Sequence, residues 1–231
     1  MGSTLIEFEN HSWDELAQTG QKKGYDWLSE NGDSLPDFET FRIRAEEIKD
    51  EYRAVARRDL TEWKMNDAFE KLFIEYGFDN ATDKADKFVT YFYNVVSDQV
   101  ELCEGAEDTL RRLKDGGYRT GLISNTVFPG TEHDRDLERF GLLPWLDFTL
   151  YSFDVNLRKP NPDIFRIGLE KIGLTAAETL YVGDRYYEDI QGPEQIGMPA
   201  VLRYTEGRTY PDPLPENLTV IRQLPELLKL L

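Results

Sequence analysis

One cysteine and two histidines are all that this 231-residue chain offers to soft or borderline metals. Cys103 stands alone, so no internal disulfide can form and nothing asks for an oxidising compartment. With only His11 and His133, a histidine-rich zinc site is excluded and a Ser-His-Asp triad is disfavoured. Basic residues are also short: 27 Lys and Arg face 44 Asp and Glu, a formal net charge of −17. Phosphate backbones and anionic lipid repel such a surface, which argues against a nucleic-acid or membrane partner. No apolar run approaches the ~20 residues of a membrane span, and no basic-then-apolar signal opens the chain. Together these absences imply a cytoplasmic protein. Any metal it holds would sit among carboxylates, which points to a hard ion such as magnesium.

What is present is material for a core: 40% hydrophobic residues, 13% of the chain aromatic. At ~150 residues per domain, the length suits one large domain or two small ones. The first half reads helical. Ser12 to Glu15 form a capping box, opening a helix that should run to about Glu30. Asp37 caps a second helix ending near Arg58, and Thr61–Tyr76 and Asp83–Ser97 supply two more. Charge is denser here, with 12 basic and 22 acidic residues in 1–98.

After residue 100 helices alternate with short apolar runs. The runs Arg119–Ile123, Phe148–Phe153, Thr179–Val182, Ala200–Arg203 and Leu218–Ile221 read as strands. Between them Ala106–Lys114, Asp134–Phe140, the segment opened by Asn161-Pro162, and Glu188–Ile196 read as helices. Strands separated by single helices imply a parallel, doubly wound sheet, in which ligands bind at the carboxyl ends of strands.

The residues at those ends are chemically useful. Ser124-Asn125 offer a hydroxyl and an amide to an anionic oxygen, although both also favour ordinary turns. Lys159, held in an extended loop before Pro160, can place an ammonium over a phosphate, or can simply be an exposed loop lysine. Asp184, behind Gly183, and Asp189, five residues on, can hold a divalent cation or can merely cap a helix.

In order and spacing, Ser124-Asn125, Lys159-Pro160 and Gly183-Asp184 with Asp189 resemble the haloacid dehalogenase superfamily. The resemblance covers nearly the whole chain, including Glu104-Gly105, Leu113 to Tyr118 and Gly197-Met198-Pro199. It implies an α/β fold: a three-layer, Rossmann-like parallel-sheet core of residues 1–10 and 99–231, with a helical-bundle cap of residues 11–98 inserted. It also implies a magnesium-dependent phosphatase acting on a small phosphorylated metabolite through an aspartyl-phosphate. Ser124 and Asn125 would bind the phosphoryl group, Lys159 would neutralise its charge, and Asp184 with Asp189 would hold the magnesium.

The nucleophilic aspartate of that family is not in its place. In one register Glu7 and Glu9 occupy the two aspartate positions and His11 the threonine position. In the other, which fits better, Gly2 to Leu5 match the end of the motif. Thr4 is then the motif threonine, Gly2 replaces the second aspartate, and the nucleophile is expected one residue before Met1. A non-catalytic phosphate- or partner-binding protein, and a metal-independent haloacid dehalogenase, remain as alternatives. Substrate selectivity should come from residues between Phe8 and Asp98, with Arg42, Arg44, Arg53, Trp13 and Trp27 as candidates.

Overall fold

The computed structural model describes residues 1–7 and 12–231. Four helices form one unit: α1 (Trp13–Glu30), α2 (Phe38–Asp59), α3 (Met65–Glu75) and α4 (Ala81–Ser97). The Ser12 hydroxyl accepts the Glu15 amide, and an Asp37 carboxylate oxygen accepts the Thr40 amide at 3.0 Å, as the two caps require. The third helix begins later than the pattern predicts. Glu62 turns inward to accept a hydrogen bond from the Ser152 hydroxyl at 2.7 Å, and the Met65 amide donates to the Val127 carbonyl.

Aromatic rings fill this unit. Phe41, Phe69, Phe73 and Phe88 are buried together, with the Phe69 and Phe88 centroids 4.1 Å apart. The helix α1 contributes little bulk to that core; its contribution is an absence of side chain. A Cβ on Gly24 would lie 2.5 Å from the Phe88 ring, and one on Gly20 would lie 2.8 Å from Phe92. Each glycine weakens an isolated helix by ~1 kcal/mol, and the close approach of α4 offsets that cost. Gly24→Ala should therefore destabilise the protein by about 1–3 kcal/mol, despite alanine's better helix propensity. Urea unfolding measures this, and an unchanged or higher midpoint would refute the packing account.

The chain enters and leaves this unit side by side. Strand β1 (Ile6–Glu7) pairs antiparallel with β2 (Glu101–Leu102). The remainder alternates helix and strand: α5 (Ala106–Asp115), β3 (Gly121–Ser124), α6 (Gly130–Arg139) and β4 (Phe148–Tyr151). A one-turn α7 (Ser152–Val155), α8 (Pro162–Ile172) and β5 (Tyr181–Gly183) follow. The predicted helix from Glu188 instead opens as a π-helical turn, Tyr186–Gln191, that runs into the short α9 (Gly192–Glu194). Strands β6 (Ala200–Arg203) and β7 (Thr219–Ile221) and a 3-10 segment, Leu224–Lys229, complete the fold.

All pairing beyond β1–β2 is parallel: β3 with β4, and β5 with β6 with β7. Successive side chains of β3 face opposite layers. Leu122 joins Leu5, Ala106, Leu110 and Leu137, whereas Ile123 joins Ile164 and Phe165 of α8. Helices thus cover both faces, the three-layer α/β arrangement expected. Among the described residues no backbone pairing joins β3 to β5, so the paired strands fall into three groups, β1–β2, β3–β4 and β5–β6–β7. No described helix is long and apolar enough to cross a membrane.

Candidate active site

The ends of β3 and β5, the loop before α8 and the Met1–Thr4 turn surround a cavity of about 580 Å³, closed on its far side by Trp13, Tyr93 and Phe128. Ser124, Asn125, Lys159, Asp184 and Asp189 all line it, and Thr4 reaches Asp184 at its edge. Six side chains more than 100 residues apart in the extreme are thereby brought to one place, as the strand-end rule requires.

Their partners define what each can do. The Asn125 side chain is turned onto the Lys159 backbone: its Oδ1 accepts the Lys159 amide at 2.8 Å and its Nδ2 donates to the Lys159 carbonyl at 3.0 Å. Asn125 therefore fixes the lysine loop rather than offering its amide to the cavity. Ser124 is buried, and its hydroxyl makes only a long 3.5 Å contact to the Asn125 carbonyl.

Lys159 is 7% exposed. Its Nζ donates to Asp189 Oδ1 at 2.5 Å and to the Tyr181 hydroxyl at 3.0 Å. Burial works against the ammonium, but Asp189 and Tyr181 outweigh it and hold the lysine's pKa above its ordinary value. Asp189 responds in kind: burial works against its charge, yet Lys159 and backbone donors keep its carboxyl below the usual range. Its second oxygen accepts the amides of Asp184 and Arg185 at 3.1 and 3.0 Å. Gly183 is needed for this turn, since a Cβ there would lie 2.4 Å from the Asp189 carboxyl carbon.

Asp184 is 4% exposed. Thr4 donates to its Oδ1 at 3.5 Å, Arg208 Nε donates to its Oδ2 at 2.7 Å, and the Tyr210 hydroxyl donates to its backbone carbonyl at 2.9 Å. These partners bear on magnesium. Magnesium is usually held by one or two carboxylates with waters and substrate phosphate. Here Asp189 has both oxygens engaged, and Asp184 shares one of its own with a guanidinium. No group of three metal-ligating side chains occurs among the described residues. Of the expected Asp184–Asp189 ligand pair, Asp189 is thus claimed by Lys159 and two backbone amides, which leaves Asp184 as the candidate carboxylate for magnesium.

A second buried network joins α4 to α6. Tyr93 Oη lies 2.7 Å from both Asp136 Oδ2 and His133 Nδ1, and His133 Nε2 lies 2.5 Å from the Thr126 hydroxyl. A carboxylate only accepts, so the Tyr93 proton goes to Asp136 and His133 Nδ1 must donate to Tyr93. His133 Nε2 then accepts from Thr126, whose oxygen accepts the Phe128 amide at 3.1 Å. The network thereby positions the loop that carries Phe128 against the cavity. Burial pushes the His133 pKa down to about 3.

Several candidates fall elsewhere. Arg42 pairs with Glu39, Arg44 with Glu75 and Glu47, and Arg53 with Glu46 and Asp50, and none of the three lines the cavity. Trp27 stacks on Tyr91, whereas Trp13 does line the cavity. In the first register, Glu7 accepts from the Ser3 hydroxyl on β1, and Glu9 and His11 lie outside the described residues. In the second, Met1 sits at the cavity, its amino group lowered to about 6 by burial and then by Lys159. Sequence reasoning missed Arg208, Tyr181 and Tyr210. Tyr181 was within reach as the first residue of a buried strand, but nothing in its loop marks Arg208.

The haloacid dehalogenase-like hydrolase family profile matches residues 38–202. The chain is 31% identical over 154 residues to a glyceraldehyde 3-phosphate phosphatase of Pyrococcus furiosus, covering 62% of this chain and 60% of that protein. It is 37% identical over 106 residues to human haloacid dehalogenase-like hydrolase domain-containing protein 3, covering 44% of this chain and 39% of that one. The chain thus spans about 60% and 39% of the length of these two relatives. In fold it is similar to a 2-haloacid dehalogenase from Pseudomonas syringae, with a TM-score of 0.71, 22% identity, and 99% and 94% of the two chains covered. It is also similar to a HAD phosphatase from Thermococcus onnurineus, with a TM-score of 0.63, 24% identity, and 100% and 94% covered.

Proposed function

Since the chain belongs to the haloacid dehalogenase-like hydrolase family, we propose that its cavity is that of a phosphatase of small phosphomonoesters working through an aspartyl-phosphate. The observation that carries this reading is the Lys159 ammonium, kept charged by Asp189 and Tyr181 beside the Ser124 hydroxyl at the strand ends. Phosphoryl transfer needs mainly positioning and charge neutralisation. In this reading Ser124 donates to a phosphoryl oxygen, Lys159 neutralises charge on another, and Asn125 holds the lysine loop in register. Thr4 orients Asp184. Residues 11–98 form the cap over the leaving group, against a core of residues 1–10 and 99–231. The phosphatase named for the Pyrococcus relative favours a small phosphorylated metabolite, and the single buried cysteine suits the cytoplasm.

The attacking group in this reading is the aspartate carboxylate that the Gly2–Thr4 match to the end of the motif calls for. Its oxygen bonds to phosphorus while the bond to the leaving oxygen breaks. Gly2 offers no acid at the neighbouring position, so the leaving group takes its proton from water. Water then attacks the acyl phosphate, releasing phosphate and restoring the carboxylate.

The test joins an apolar strand ending in aspartate ahead of Met1 and measures p-nitrophenyl phosphate turnover. That aspartate also sets a second carboxylate beside Asp184, so turnover should require magnesium and stop with a chelator. It should be lost when the added residue is asparagine, and again on Asp184→Ala. A folded extended protein with no turnover would favour the non-catalytic reading, for which Gly2 at the second aspartate position already speaks. Dehalogenation of a haloacid that survives the chelator would favour the dehalogenase.

A further inference from the structure

The segment joining α2 to α3, residues 60–65, is where the four-helix unit meets the loops of the cleft. Glu62 points inward from it, with its side chain 1% exposed. Ser152, itself fully buried, donates to Glu62 Oε2 at 2.7 Å and accepts the Thr126 amide at 2.8 Å. The Trp63 amide donates to Glu62 Oε1 at 3.2 Å, and the Arg158 guanidinium lies 3.6 Å from the same oxygen. Two backbone bonds flank these contacts. The Met65 amide donates to the Val127 carbonyl at 2.9 Å, and the Arg158 amide donates to the Leu60 carbonyl at 3.2 Å.

Thr126 and Arg158 are the sequence neighbours of Asn125 and Lys159, whose mutual hydrogen bonds tie the two loops together. One carboxylate from the helical unit thus reaches both flanks of that pair, one through Ser152 and the other directly. We propose that Glu62 is a positioning residue: seated from the four-helix unit, it fixes the loops after β3 and before α8, and so sets where Lys159 and Ser124 meet a phosphoryl oxygen. The proposal rests on the phosphatase reading for its ligand, not for its geometry.

A buried carboxylate is a costly way to fill such a junction. Burial holds the Glu62 carboxyl above its ordinary value, with Arg158, Ser152 and the Trp63 amide pulling the other way. An apolar side chain of that size would fill the space at less cost, but it could not accept from Ser152 or face Arg158. Hydrogen bonds have direction and apolar packing has little, so the carboxylate fixes a register that packing alone would leave free to slide. Packing is supplied beside it by Phe128, whose ring lies 5.5 Å from Phe92 and 5.0 Å from Tyr93 of α4. The loop after β3 is thereby held to the helical unit at two points, and the lysine loop is held through Arg158.

Amide hydrogen exchange and phosphate binding on the full chain test it. Glu62→Met fills a similar volume and accepts no hydrogen bond from Ser152. It should speed exchange at Thr126, Met65 and Arg158 about tenfold while leaving the interiors of α4 and β6 unchanged. It should also raise the Kd for inorganic phosphate, read from phosphorus NMR line broadening, by about fivefold or more. Glu62→Gln keeps an acceptor for Ser152 but no charge for Arg158. It should restore most of the protection at Thr126 and leave Arg158 fast, and it carries the test if Glu62→Met does not fold. Unchanged exchange at the three amides, exchange raised equally through α4 and β6, or an unchanged phosphate Kd beside faster loops would overturn the proposal. If the unaltered chain binds no phosphate, the phosphatase reading fails, and the exchange result alone decides this one.

Discussion

Lys159→Met should lower the stability of the protein by about 3–5 kcal/mol, because it leaves the Asp189 carboxylate buried without its cation. Asp189 is 2% exposed, so water cannot take the place of the ammonium. Its Oδ2 would keep the two backbone amides, but Oδ1 would lose a 2.5 Å charge-assisted bond. Adding Asp189→Asn to the same protein removes the stranded charge and should recover a large part of the loss. A double-mutant cycle by urea unfolding at pH 7 reads this coupling, and simple additivity would contradict it. The sign of the pH dependence is also set. Asp189 is held low, so its contribution is present above ~4 and lost as pH falls through its folded value; Lys159 is held high, so its contribution is present below ~10 and lost only above that. With Lys159 gone, burial dominates at Asp189 and raises its carboxyl, so the deficit of Lys159→Met should grow as pH rises above about 4 and level off once that carboxyl has ionised. In a protein carrying the attacking aspartate, the same change should cost about 10²–10³ in kcat, the scale of losing one preorganised charge-stabilising group.

The second large effect is on acid stability. His133 is buried and held neutral down to about pH 3, whereas an unfolded histidine takes up a proton near 6.5. Between those values the unfolded state binds the extra proton, so stability falls as pH drops, by about 1.4 kcal/mol per pH unit from this group alone. His133→Asn removes the titration while keeping a donor near the Nδ1 position that faces Tyr93. From pH 7 to 5 the wild-type protein should lose about 2 kcal/mol more than the variant. Both proteins share the same background of titrating carboxylates, so the difference isolates His133. Urea unfolding at pH 7, 6 and 5 measures it, and parallel curves would count against a neutral buried imidazole.

Much of this architecture could be read from residue order. The caps at Ser12 and Asp37, the alternation of strand and helix after residue 100, and the gathering of Ser124, Lys159 and Asp184 at strand ends all follow from local pattern. What escaped is what depends on contacts between distant segments. Asn125 reads as a phosphate ligand because an amide at a strand end could serve one, yet its partner is a backbone 34 residues away. Asp189 reads as a metal ligand by its spacing, but a buried lysine and two amides claim it first. Arg208 sits on a loop with no signal of its own and becomes important only because Asp184 lies within 2.7 Å.

The crossing between α1 and α4 has a bearing on how the chain comes to be folded. The hydrophobic cluster of the four helices draws its buried members from residues 28–96 and Phe128, with Val127 packed beside it. A ribosome completes that stretch before it makes any of β3 to β7. Once released, the segment holds both partners of its Gly20–Phe92 and Gly24–Phe88 contacts, so these can close before the sheet is made. The strand β1, by contrast, must wait for Glu101 and Leu102 to be made, some 95 residues later. Helices first and sheet last is the order of assembly that this topology favours.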